Sequence, residues 1–186
     1  MDFAAAPAHE ASPVLRSAIG ALTQDAGKRG RLLVARRGDD ALGAAVVWAP
    51  GDHPRPWRSE FLRAAASIAA ETGVGSVSLA RRYAALRRVD SRFPVHWHLA
   101  IIGVRPEMQH QQVGSRLVAE FLKRVDATGT AAYLETKRPE LVGWYGRFGF
   151  ELHEHVTLPG PGQVAILCRE PVQRTGSKAQ PAAEPE

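Results

Sequence analysis

VHWHLAIIGVRPEMQHQQVGSRLVAEFLKRV, residues 95–125, holds a strand, a loop and a helix in that order. VHWHLAIIGV is a nearly unbroken apolar run and reads as a long buried strand over 95–104, stopped by Pro106. Val113, Leu117, Val118, Phe121, Leu122 and Val125 recur at helical spacing, so an amphipathic helix is expected from near Gln112 to about 127. Between strand and helix lies a run of uncharged polar residues with Gly114 and Ser115. The first turn of a helix leaves backbone N–H groups unpaired, and the helix dipole adds to their pull on anions. This turn is therefore a candidate phosphate cradle.

Working outward, AAYLET (131–136) is a short strand, and Pro139 opens a helix that Gly149 is expected to end. FELHEHVTL (150–158) and QVAILCRE (163–170) flank Pro159-Gly160-Pro161-Gly162 and read as a final hairpin. Toward the N-terminus, RLLVARR (31–37) and ALGAAVVWA (41–49) form another hairpin around Gly38-Asp39-Asp40. Helices are expected over 14–26, from a Ser59 cap to about Thr72, and over 78–89. The order implies a mixed α/β sheet with a strand–helix–strand crossover at its centre. Residues 1–12 are expected to be flexible, 13–170 to form one domain, and 171–186 to be a disordered tail.

At 186 residues, 45% of them hydrophobic and 23% charged, the chain has the composition of one soluble globular domain. No apolar run reaches membrane-spanning length, and MDFAAAPAHEASP lacks the basic and apolar regions of a secretory signal. A single cysteine, Cys168, excludes an internal disulfide framework; it sits in an apolar strand and reads as inert core. These features predict a cytoplasmic protein without a membrane partner. The net charge is +5, and only four of the 24 basic residues are lysines. Arg36-Arg37, Arg81-Arg82 and Arg87-Arg88 are short clusters without a recognisable nucleic-acid module, so solvated helix faces explain them better than a nucleic-acid partner.

Three segments in this order resemble GNAT-type N-acetyltransferases. VHWHLAIIGVRPEMQHQQVG is similar to their central strand and acyl-CoA loop, with pattern [QR]-x-x-G-x-[GA]. AAYLETKRPELVGWYGRFGF is similar to their next strand and helix, and the closing hairpin follows. The likeness covers about residues 31–170 and is closest to the small-molecule branch that includes puromycin N-acetyltransferase. It implies a mostly antiparallel mixed sheet flanked by helices, with a splayed central strand pair. Residues 14–49 line up with the family's second helix and its second and third strands, so the first strand and first helix are expected to be missing. That leaves an open sheet edge, which a second copy could cover as a homodimer.

The resemblance also implies a donor and an acceptor. Acetyl-CoA would lie with its pantetheine arm and carbonyl along Ile102, Gly103 and Val104, and its pyrophosphate at N–H groups from His110 to Ser115. Gln109 and Gly114 match the loop pattern, and Val113 lies between the matched positions. His110 and Gln112 stand where glycines are usual, and Leu141 where an asparagine is. A left-handed backbone at Gln112 would cost about 1 kcal/mol or more.

Transfer to the amine of a small molecule, antibiotic-like or metabolic, needs a base for the amine and a proton for the leaving thiolate. Tyr145 matches the family's proton-donating tyrosine; the alternative is a core aromatic beside Trp144. His98 is the first base candidate and Glu135 the second, each weighed against a purely structural role. His96-Trp97-His98 and His153-Glu154-His155 each place two histidines on one strand face, but nothing near them completes a metal site, and no metal is expected. An acyl-CoA-binding protein with little turnover is the main rival reading. A basic nucleic-acid module is the weaker one.

Overall fold

The computed structural model describes residues 31–52, 75–158 and 162–171. In chain order these form β1 (Leu32–Arg37), β2 (Asp40–Trp48), α1 (Gly75–Asp90), β3 (His96–Val104), a 3-10 turn (Pro106–Met108) and α2 (Val113–Thr128). β4 (Ala131–Thr136), α3 (Pro139–Gly146), β5 (Glu151–Thr157) and β6 (Gln163–Arg169) follow. The expected helices over 14–26 and 59–72, the N-terminal segment and the tail from 172 onward lie outside the described residues. The first described strand is β1; the expectation that the family's first strand and first helix are missing concerns residues that lie outside the described ones.

The six strands form one sheet in the order β1-β2-β3-β4-β6-β5. Only β3 and β4 run parallel, since α2 carries the chain across between them; every other pair is antiparallel. α2 buries Val113, Leu117, Val118, Phe121, Leu122 and Val125, the stripe its periodicity defined. These pack with Leu33, Ala45, Val47, Leu99, Leu134 and Tyr145 in the largest core. On the other face, Leu86 and Val89 of α1 pack with Tyr133, Val164 and Ile166. The α2 and α1 sides of the sheet are thus separate cores.

Three bulges depart from simple alternation; in the first, Ala35 pairs with Gly43 and Arg36 with Ala41, which leaves Leu42 as an extra residue in β2. Val46 pairs with Ile101 and Val47 with Leu99, which leaves Ala100 as an extra residue in β3. Trp97 and Leu99 face α2 before the bulge; Ile102 and Val104 face it afterwards. In β5, Leu152 pairs with Leu167 and Glu154 with Ile166, so His153 is the extra residue. The expectation that His153 and His155 share a face fails for this reason. His153 stands 4.9 Å from Phe93 on the α1 side, whereas His155 pairs with Ala165 of the α2-side core.

The end of α3 is a smaller correction. The helix stops at Gly146 rather than 149, and Gly149 instead supplies a left-handed turn, φ +82°, donating its N–H to the Gly146 carbonyl. Gly43 has a different reason to be glycine. A Cβ there would lie 2.7 Å from the Gly103 carbonyl oxygen and 3.2 Å from Val113, so β2, β3 and α2 close up only around a bare Cα.

Candidate active site

β3 and β4 pair at three rungs, His96 with Ala131, Trp97 with Ala132 and His98 with Tyr133, and then separate. Among the described residues, no strand pairs with the β4-facing edge of β3 from Leu99 onward. The Ala100 bulge lies at the start of this divergence. A cavity of about 440 Å³ opens on the α2 side, floored by Ile102, Gly103 and Val104. Its far end is the loop Gln109–Ser115, and its opposite wall is Leu141, Trp144 and Tyr145 of α3. Every residue that the sequence placed in the donor site lines this one cavity, Tyr145 included.

The loop holds two residues in a conformation that side chains disfavour. His110 has φ 60° and Gln112 φ 62°, the left-handed region that glycine adopts freely. Gln112 is the glycine position of the loop pattern and His110 stands where a glycine is usual, and both hold a backbone shape that suits glycine. Gln112 caps α2 with no side-chain hydrogen bond to its first turn, leaving those N–H groups to an outside acceptor. Gly114 in that turn faces the cavity, and a Cβ would sit 3.6 Å from the Trp144 ring, an ordinary contact.

Charge in the cavity has one sign. Among the described residues, Arg138 and Arg147 line it, and no carboxylate does. Arg138 donates to Glu140 at 2.7 Å, while the Arg147 guanidinium lies 5.9 Å from the centre of the Trp144 ring. Backbone N–H groups at a helix start, one or two arginines and an apolar floor suit a long ligand with anionic and uncharged parts. A phosphorylated thioester carrier such as acyl-coenzyme A fits that description. Arg138 and Arg147 were not singled out from the sequence, and Trp144 was named there only as a core aromatic beside Tyr145.

Tyr145 is 2% exposed and stands edge-on to Trp144 and Phe150, at 4.8 and 6.0 Å. It is therefore both a core aromatic and a wall of the cavity; the two readings of this residue were not exclusive.

His98 and Glu135, weighed separately in the sequence, form one buried pair: His98 Nε2 lies 2.8 Å from Glu135 Oε2. They are on the α1 side of the sheet, opposite the cavity wall that holds Tyr145. Burial raises the Glu135 carboxyl pKa, but nearby positive charge, that of His98 included, and the His98 hydrogen bond outweigh it, leaving it near 2. The carboxylate is thus ionised at neutral pH. It accepts a hydrogen bond from His98 Nε2–H, which orients the imidazole ring.

A second buried pair went unnoticed in the sequence. His96 Nε2 lies 2.7 Å from Asp90 Oδ1 at the end of α1, and Arg87 holds the other Asp90 oxygen. His96 Nδ1 lies 2.6 Å from the Pro94 carbonyl oxygen, which can only accept. Both His96 ring nitrogens thus lie beside oxygen atoms, which fixes the orientation of the ring. Asp90 carries no sequence signal of this, because its partner is set by how α1 docks on β3. Among the described residues, no group of three or more histidine, cysteine or acidic side chains is placed to hold a metal ion. Burial pushes the Cys168 thiol up to about 11, with Glu170 and Glu154 adding to the effect, so it is protonated and unreactive. No helix among the described residues is long and apolar enough to cross a membrane.

Residues 6–150 match the profile of the Acetyltransferase (GNAT) family. Similar folds include a Drosophila melanogaster polyamine N-acetyltransferase that catalyses the formation of N-acetylagmatine. It is 16% identical, with TM-score 0.58, over 89% of this chain and 84% of that one. A histone acetyltransferase HPA2 and related acetyltransferase from Corynebacterium glutamicum is 18% identical, with TM-score 0.55, over 89% and 81%. A mosquito arylalkylamine N-acetyltransferase like 5b is 16% identical, with TM-score 0.51, over 79% and 77%.

Proposed function

The chain belongs to the GNAT acetyltransferase family, and from that premise we propose that it moves an acetyl group from acetyl-CoA to the amine of a small molecule. One observation carries the reading: where β3 and β4 cease to pair, a cavity shaped for the donor is floored by Ile102 to Val104 and walled by Tyr145. The Drosophila enzyme of the same fold forms an N-acetylated amine, in keeping with it.

In this reading, N–H groups from His110 to Ser115 take the pyrophosphate, and the free edge of Ile102 to Val104 takes the pantetheine arm and the acetyl carbonyl. His98, oriented by Glu135, accepts a proton from the acceptor's ammonium and leaves a nucleophilic amine. The amine nitrogen bonds to the carbonyl carbon, the carbon–sulfur bond breaks as Tyr145 gives its proton to the departing thiolate, and the second proton of the new amide nitrogen passes to solvent, from which Tyr145 is reprotonated. Base and acid approach from opposite faces of the sheet. They can act on one carbonyl only where the sheet is open, and the last paired rung, at His98, marks where it opens.

The left-handed His110 and Gln112 favour one second reading, an acyl-CoA-binding protein with little turnover. Thiol release from acetyl-CoA with a panel of amines separates the two. Steady release with one amine supports the enzyme; calorimetric binding of acetyl-CoA with no release supports the binder. No binding at millimolar acetyl-CoA would sink both.

A further inference from the structure

Arg147 ends α3, directly after the part of the helix that walls the cavity, and is itself exposed at the cavity's rim. A cation at the C-terminus of a helix interacts well with the dipole, so capping is the plain explanation of this residue. The geometry leaves that role weak, because Arg147 Nε reaches the Trp144 carbonyl oxygen only at 3.5 Å. Its guanidinium lies instead over the Trp144 ring, 5.9 Å from the centre, and among the described residues it has no carboxylate partner. Arg138, the other arginine lining the cavity, differs on this point, since Glu140 accepts from it at 2.7 Å. Arg147 is therefore the uncompensated charge of the pair.

Trp144 fixes the end of the cavity that receives this charge. A Cβ on Gly114 would lie 3.6 Å from the indole, so the ring reaches across from α3 to the first turn of α2. Arg147 sits one helical turn beyond Trp144 and against the same ring, so it stands at the end where α2 offers its free N–H groups. Main chain and side chain, from two different helices, thus favour an anion at one place. A guanidinium presents parallel N–H donors that match two oxygens of a phosphate, and an aromatic face beneath it holds the fork in plane.

We propose that Arg147 selects the donor: its guanidinium, held over Trp144, binds a phosphate at the nucleotide end of the acyl carrier, so that phosphorylated carriers are taken in preference to a bare pantetheine thioester. This rests on the acetyl-transfer reading above and adds to it the residue that chooses among donors. In coenzyme A the phosphate is either part of the diphosphate or the monoester on the ribose. The chemistry of recognition is the same for both.

The test is calorimetry on the full chain with coenzyme A and with its dephospho form, which lacks the ribose phosphate. Arg147→Gln should weaken coenzyme A binding by about tenfold, and Arg147→Lys, which keeps the charge and loses the fork, should recover part of the loss. Added salt should weaken the wild type more steeply than Arg147→Gln, and the ligand-free melting temperatures should agree. A ratio that persists with the dephospho form places the diphosphate at Arg147, and one that disappears places the ribose phosphate there; each supports the proposal. Equal coenzyme A affinity in Arg147→Gln and the wild type would overturn it and leave the acetyl-transfer reading intact. A loss that Arg147→Lys does not recover, or one that comes with a lowered melting temperature or an unchanged salt dependence, would overturn it as a packing effect through Trp144. No coenzyme A binding by the wild type would defeat both readings together.

Discussion

On the α2 side of the sheet, the cavity is made of strand backbone, helix-start N–H groups and apolar side chains. On the α1 side, two histidine–carboxylate pairs are buried against one tyrosine. The first kind of surface is carried by main-chain geometry and tolerates exchange of side chains. That is why His110, Gln112 and Leu141 can replace the family's usual residues while the loop keeps its left-handed turns. The second kind depends on particular atoms at hydrogen-bond distance, and each exchange leaves a partner stranded in a core. Substitutions on the two sides should therefore fail in different ways.

The largest effect should come from Tyr145, proposed above as the proton donor to the thiolate. Tyr145→Phe keeps the ring in its packing and removes the proton donor. The expected loss is about 10²–10⁴-fold in kcat, with acetyl-CoA affinity preserved. Single-turnover kinetics beside calorimetry read the two quantities separately; wild-type kcat in the variant would remove Tyr145 from the chemistry.

Next in size is the buried pair. Glu135→Gln loses a charged acceptor and should cost about 1.5–3 kcal/mol of stability, read by denaturant titration. Because the folded carboxyl titrates near 2, below its unfolded value of about 4.3, its contribution is complete above the unfolded value and is lost as pH falls toward 2. The variant should lack that stretch of acid sensitivity. In His98→Gln, the acid limb of the kcat/KM profile should vanish; an unaltered limb would make the pair structural only.

Gly43→Ala tests backbone closeness on the donor side. Its Cβ meets a carbonyl at 2.7 Å, so β2 or β3 must move, at about 1–3 kcal/mol. The smallest effect, and the only gain, is expected of Gln112→Gly. Relief of a left-handed side-chain residue should raise stability by about 1 kcal/mol, with acetyl-CoA affinity kept because the N–H groups stay. A variant that is stabilised yet loses acetyl-CoA would show that the Gln112 side chain itself contacts the donor.

How much of this was legible in the chain follows the same division. The stripe of α2, the apolar run of β3 and the turn signals of the hairpins are local patterns, and each element formed within a residue or two of its expected bounds. The loop was legible through the family pattern, which also marked Gln112 as a glycine position. The bulges at Ala100 and His153 were not, since an extra residue leaves no trace in composition and shows only when a strand meets its partner. The Asp90–His96 pair and the joining of His98 to Glu135 are facts of tertiary placement. Single residues carry no mark of them.

The extra residue in β3 acts as a change of phase in the strand. Before Ala100, the even-numbered His96 and His98 point to the α1 side; after it, the even-numbered Ile102 and Val104 point to the α2 side. One continuous strand can thereby serve two chemistries with the same parity of numbering. Deleting Ala100 would restore regular alternation, and one segment would have to surrender its side. Either the histidines would turn into the apolar core under α2, or Ile102 and Val104 would leave it. A one-residue deletion at the heart of the sheet should therefore be worse tolerated than any single substitution described above.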